Sequence, residues 1–262
     1  MDITYVTALY NISKLKNASS ILLNDVQDLF NCPIKLIIYV DQFYMDAIQP
    51  FIAEKSNIKM IHLPIEQLNI YNLILSNRNL LMLPESRNME KDTVEYMALM
   101  NTKIEFLQRT YAEHKNLFED SPYIAWIDAG ISKIIKEKEY MFNKLANLRV
   151  GKLDTMLMPG CYLRNVSLGE LFNQVSWVCI GGFYICHTSY IHKFHNMSLE
   201  VLVFFLINRR IAWEVNIWAE IVNRYPHVFV WYKADHNDHF LDVPEDVITF
   251  LQNGSAQASS SE

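Results

Sequence analysis

Short β-rich runs alternate with helical stretches along nearly the whole chain, and that alternation confines it to a layered α/β fold. The runs DITYVTALY, PIKLIIYVD, IKMIHLP, YIAWID, DTMLMPG, WVCIGGFYICH and HVFVWYKAD read as strands. Between them, SSILLNDVQDLFNC has apolar residues at helical spacing at Ile21, Leu22, Val26 and Phe30. DAIQPFIAEK, LEVLVFFLINRR and EVNIWAEIVNRYP read as further helices, as does the stretch near 132–147. TVEYMALMNTKIEFLQRTYAEHK predicts one long helix packed on more than one face, and residues 66–92 read as irregular, with an exposed loop at LPESRNMEKD. Residues 1–250 are expected to form a single domain, and the small, polar end of the chain, 251–262, a disordered tail.

At 262 residues and 51% hydrophobic, the chain can bury a sizeable core. Its formal charge of −6 lacks the basic footprint of a nucleic-acid binder, so no nucleic-acid partner is expected. The first residues hold an acid at position 2 and no basic stretch, which predicts no signal peptide. Windows such as LEVLVFFLIN are too short to span a bilayer, so no transmembrane segment is expected. Cys32, Cys161, Cys179 and Cys186 follow no paired or zinc-binding spacing and read as small core residues, which points to a reducing cytoplasm.

Four segments hold candidate chemistry. Asp128 ends an apolar strand and is followed by Ala129 and Gly130. It either caps the next helix or presents a carboxylate at the carboxyl edge of the sheet, where open α/β folds bind ligands and where Mg²⁺ or Mn²⁺ takes oxygen ligands. Gly181 and Gly182 interrupt a strand pattern, which marks a twist or a close backbone approach. Glu214 follows Trp213 at a predicted helix start. It is a first-turn acid, or a general base beside an indole that flanks an acceptor sugar. Asp235, His236, Asp238 and His239 crowd the residues after the last strand, as a solvated turn or as metal ligands. Lys103 lies among Leu99, Met100, Phe106 and Leu107, where an ammonium needs an anion unless its head snorkels to water.

Taken in order, VTALYNI, YIAWIDAGISK, GGFYI, WEVNIWAEI and VWYKADHND resemble the HtrL/YibB-like proteins of bacteria and large DNA viruses, over about residues 3–243. That family looks like glycosyltransferases of the GT-A fold, so the resemblance implies a GT-A-like, Rossmann-like central mixed sheet flanked by helices. It implies a nucleotide-sugar donor, most simply a UDP-sugar, and a glycan or glycoconjugate acceptor. Thr7, Ala8, Tyr10 and Asp41 would cradle the donor nucleotide, and Gly181 and Gly182 would bring backbone to the donor sugar. Lys103 would meet the diphosphate. IDAG stands where such enzymes carry a DxD motif that holds Mn²⁺ or Mg²⁺. Here Gly130 replaces the second acid, so a water or a distant residue must fill its place, and His236 is the leading candidate to join Asp128 on the metal. Glu214, or failing that Asp235, would deprotonate the acceptor in an inverting transfer, with Trp213 against the acceptor. The rival expectation is a non-catalytic nucleotide- or sugar-binding protein with the same fold. A dehydrogenase or methyltransferase is disfavoured because no glycine-rich loop follows the first strand.

Overall fold

The computed structural model describes residues 3–12, 16–118, 122–151 and 153–244, and the expected tail lies outside them. The strand-forming runs become β1 (Thr4–Leu9), β2 (Lys35–Val40), β3 (Ile58–His62), β4 (Tyr123–Ile127), β5 (Met156–Gly160), β6 (Phe183–His187) and β7 (Val230–Lys233). They form one seven-stranded sheet in the order β3-β2-β1-β4-β6-β5-β7. Strands β3, β2, β1 and β4 are parallel, β6 runs antiparallel to both β4 and β5, and β7 is parallel to β5. The α/β class and mixed central sheet expected from the sequence are therefore present.

Helices cover both faces: α1 (Lys16–Asn31), α2 (Gln42–Ile52), α3 (Asn69–Ser76), α4 (Val94–Asn101), α5 (Lys103–Glu113), α6 (Lys138–Asn147), α7 (Leu168–Asn173), α8 (Ile191–Ile207) and α9 (Glu214–Arg224). Strand alternation sends Val6, Ile37, Trp126 and Tyr184 to one face, against Phe106, Phe194 and Trp218 of α5, α8 and α9. It sends Tyr5, Ile38, Ile127 and Ile185 to the other, against Val26, Ile48 and Met141 of α1, α2 and α6.

Three expectations are corrected. The single long helix is two, because Thr102 turns its hydroxyl onto the Leu99 carbonyl (2.6 Å) and Asn101 binds the Met97 carbonyl (2.8 Å). Such local side-chain bonds compete with the helical ladder and break it there. The break puts Lys103 in the first turn of a new helix, facing the sheet. The irregular stretch contains α3, whose first turn is capped from a distance: Glu105 accepts from the backbone N–H groups of Asn69 (2.8 Å) and Ile70 (2.9 Å). The WVCIGGFYICH run is a strand only from Phe183 onward. No helix among the described residues is long and apolar enough to cross a membrane.

Candidate functional site

Because all strands but β6 run the same way, one edge of the sheet collects the carboxyl ends of β1, β2, β4, β5 and β7 and the amino end of β6. Tyr10, Asp41, Asp128, Gly181, Gly182, Asp235 and His236 all follow or precede a strand at that edge. Segments far apart in the chain thus meet in one place, where α/β sheets bind ligands.

At its centre lies a buried ionic cluster. Lys103 is 2% exposed. Its Nζ donates to Glu214 Oε1 (2.7 Å), Asp128 Oδ1 (2.8 Å) and the Gly181 carbonyl (2.9 Å). Burial works to strip its proton, but the charges of Asp128 and Glu214 outweigh burial and hold its pKa above the ordinary lysine value. Trp126, two residues before Asp128 and so on the same face of β4, donates its indole N–H to the same Oδ1 (2.6 Å). The Asp128 backbone N–H is bound by the Gly182 carbonyl (2.9 Å). A Cβ on Gly181 would stand 2.3 Å from Glu214 Oε1, so only glycine admits the Glu214 carboxylate there. Asp128 keeps 36% of its side chain exposed, whereas Glu214 keeps 8%. The Tyr184 hydroxyl is buried without a hydrogen-bond partner. Burial first, then the charges of Cys186, Glu214 and Asp128, push it well above the usual phenol range.

The rim is aromatic and basic. His236 lies on Trp177, ring centres 4.8 Å apart. Burial lowers the His236 pKa below 6.5; the Asp128 charge opposes this, and Lys91 and Lys103 add to it. The neutral imidazole is the form that ligates metals. Lys91, on the loop before α4, stands 4.9 Å from the centre of the Tyr96 ring. Tyr96 is itself raised by burial and by the charges of Glu214, Asp128 and Asp92. Asp235 is exposed beside His236. Cys161, after β5, feels both: burial raises its pKa, a backbone hydrogen bond from His236 lowers it and the Asp235 charge raises it.

The nominated residues divide on this geometry. Asp128, Gly181, Gly182, Asp235 and His236 converge on the edge. Thr7 does not: it is fully buried inside β1, its hydroxyl unpartnered, so the expected donor contact has no access. Ala8 is partly buried against the α5 face, and Tyr10 is buried with its hydroxyl on the Leu63 carbonyl (2.8 Å). Asp41 caps α2, accepting from the Tyr44 N–H (2.9 Å) and the Asn11 N–H (2.7 Å), which engages both carboxylate oxygens. Lys103 neither snorkels nor has a hydrogen left for a diphosphate, since three acceptors take all three. Glu214 is paired and buried rather than open to an acceptor, and Trp213 is half-buried before α9. Trp126, Trp177 and Lys91 join this cluster and its rim without having been nominated from the sequence. Only Trp126 carried a signal, the two-residue strand spacing in WID.

Among the described residues, no three His, Cys, Asp or Glu side chains converge to hold a metal by themselves. Asp128 Oδ2 and the His236 imidazole do suit a cation that completes its shell with phosphate oxygens and water, as Mg²⁺ and Mn²⁺ do.

A model of the family described as "Bacterial protein of unknown function (HtrL_YibB)" matches residues 49–242. No curated protein sequence matches the chain. Among solved structures, the apo crystal structure of mouse xyloside xylosyltransferase 1 is similar over 90% of this chain and 86% of that one, at 10% identity and a TM-score of 0.48.

Proposed function

This chain belongs to the HtrL_YibB family, and we propose that it is a glycosyltransferase that moves a sugar from a nucleotide-sugar donor, a UDP-sugar, to a hydroxyl of a glycan or glycoconjugate. The carrying observation is Asp128: a half-open carboxylate at the shared sheet edge, with one oxygen tied back by Lys103 and Trp126 and Gly182 beside the other. The ordered sequence resemblance to GT-A-like proteins and the mixed sheet support the same reading. Asp128 and His236 would hold Mn²⁺ or Mg²⁺ on the donor diphosphate, and the metal would supply charge neutralisation of the leaving group.

Of the two acids nominated as base, the exposed Asp235 suits an acceptor hydroxyl better than Glu214, which is buried and paired with Lys103. In an inverting transfer Asp235 takes the acceptor proton as the hydroxyl oxygen attacks the anomeric carbon, and the bond from that carbon to the nucleoside diphosphate breaks, the diphosphate leaving with the electron pair. The free thiols of Cys32, Cys161, Cys179 and Cys186 favour action in a reducing cytoplasm.

A thermal-shift screen of nucleotide sugars with and without Mn²⁺ tests the reading, because a ligand that binds only the folded state raises Tm. A Mn²⁺-dependent rise with one donor class supports it, and no rise with any donor contradicts it. Binding without turnover would favour the non-catalytic alternative, for which the missing second acid at Gly130 speaks.

A further inference from the structure

Lys103 gathers three elements onto one atom: Glu214 at the start of α9, Asp128 at the end of β4 and the Gly181 carbonyl on the chain leading into β6. Asp128 Oδ1 then receives two donors, Lys103 Nζ at 2.8 Å and Trp126 Nε1 at 2.6 Å. Two donors on one oxygen fix the carboxylate plane and leave Oδ2, beside Gly182, as the oxygen for a ligand. Aim matters more here than in a site with two acids, because Gly130 supplies none.

We infer that Lys103 is a positioning residue: with Glu214 as its counter-ion, it holds Asp128 so that a single oxygen, Oδ2, is presented to the divalent cation on the donor diphosphate. This rests on the glycosyltransferase reading above. Groups that orient a metal ligand typically change metal affinity about 10–100-fold when lost.

Orientation and charge make opposite predictions. The cluster of two carboxylates and one ammonium has one net negative charge. The double variant Lys103→Met/Glu214→Gln keeps that single charge on Asp128 while removing the tether, and it leaves no buried ion without a partner. If charge alone governs cation binding, the double variant binds as tightly as the wild type. If Lys103 aims Asp128, affinity falls.

The experiment is Mn²⁺ binding in the presence of UDP, read from the Mn²⁺ electron paramagnetic resonance signal, on wild type, the double variant and Trp126→Phe. We expect the double variant to melt near the wild type yet bind Mn²⁺ about 10–100-fold more weakly. Trp126→Phe removes the second donor to the same oxygen and should weaken Mn²⁺ several-fold, which keeps the test open if the double variant does not fold. Unchanged Mn²⁺ affinity in a folded double variant would overturn the role of Lys103, and unchanged affinity in Trp126→Phe would overturn the two-donor hold on Asp128 Oδ1; either leaves the glycosyltransferase reading standing. A wild type that takes up no Mn²⁺ with UDP would overturn both.

Discussion

Gly181 and Gly182 are neighbours with different reasons to be glycine. A Cβ on Gly181 would meet Glu214 Oε1 at 2.3 Å and Val215 Cγ1 at 3.0 Å, while one on Gly182 would find ordinary contacts at 3.6 and 3.7 Å. Neither has a positive φ. Gly181→Ala should therefore destabilise by about 1–3 kcal/mol through overpacking against the ionic cluster. Gly182→Ala should hold or gain up to about 1 kcal/mol. Urea denaturation separates the two, and equal losses would contradict the packing account. At Asp235 the expectation is kinetic: Asp235→Asn should lower turnover about 10²–10⁴-fold with donor affinity kept. A matching fall in donor affinity would make it a donor contact instead. Asp128 was legible in the sequence because a carboxylate ending an apolar strand has few places to go. The partners of Lys103 were not, since Glu214 lies 111 residues away and only the fold joins them.

The elements show where sequence reading stops. All seven strands were visible as apolar runs, because half-buried and buried strands leave a pattern within a few residues. Helix α3 was not, because Leu68 before it offers no capping side chain and the cap comes instead from Glu105 on α5. Glu105 is 2% exposed and also pairs with Arg109 at 2.9 Å. Glu105→Ala thus removes a cap and breaks a largely buried ion pair, and should cost about 3 kcal/mol. Hydrogen exchange should show the amides of Asn69 and Ile70 losing protection first. Protection unchanged at those two amides would mean that α3 does not depend on its distant cap. The division of α4 from α5 had a local signal in the polar pair Asn101–Thr102, which the surrounding apolar periodicity masked.

Across the whole molecule, lowered histidine pKa values predict a fold sensitive to acid. His114, His187, His195 and His236 all have pKa values lowered from 6.5, with burial the first cause in each. The unfolded chain therefore binds more protons than the folded one just below that value. Their contribution is fully present above pH 6.5 and is lost as pH falls through and below it toward the folded-state values. Calorimetry should give a lower Tm at about pH 5.5 than at about pH 7.5, and a Tm unchanged by acidification would contradict the shifts. At the same scale, one sheet edge brings β4, β6 and β7 together, and the proposed glycosyltransferase site rests on that juxtaposition. Its most direct test is release of nucleoside diphosphate from a panel of nucleotide sugars with Mn²⁺, comparing wild type with Asp128→Asn. The wild type should release it from at least one donor, and Asp128→Asn should lose at least about 10²-fold of that release with Tm retained. Release from no donor, or equal release by both proteins, would contradict the proposed site.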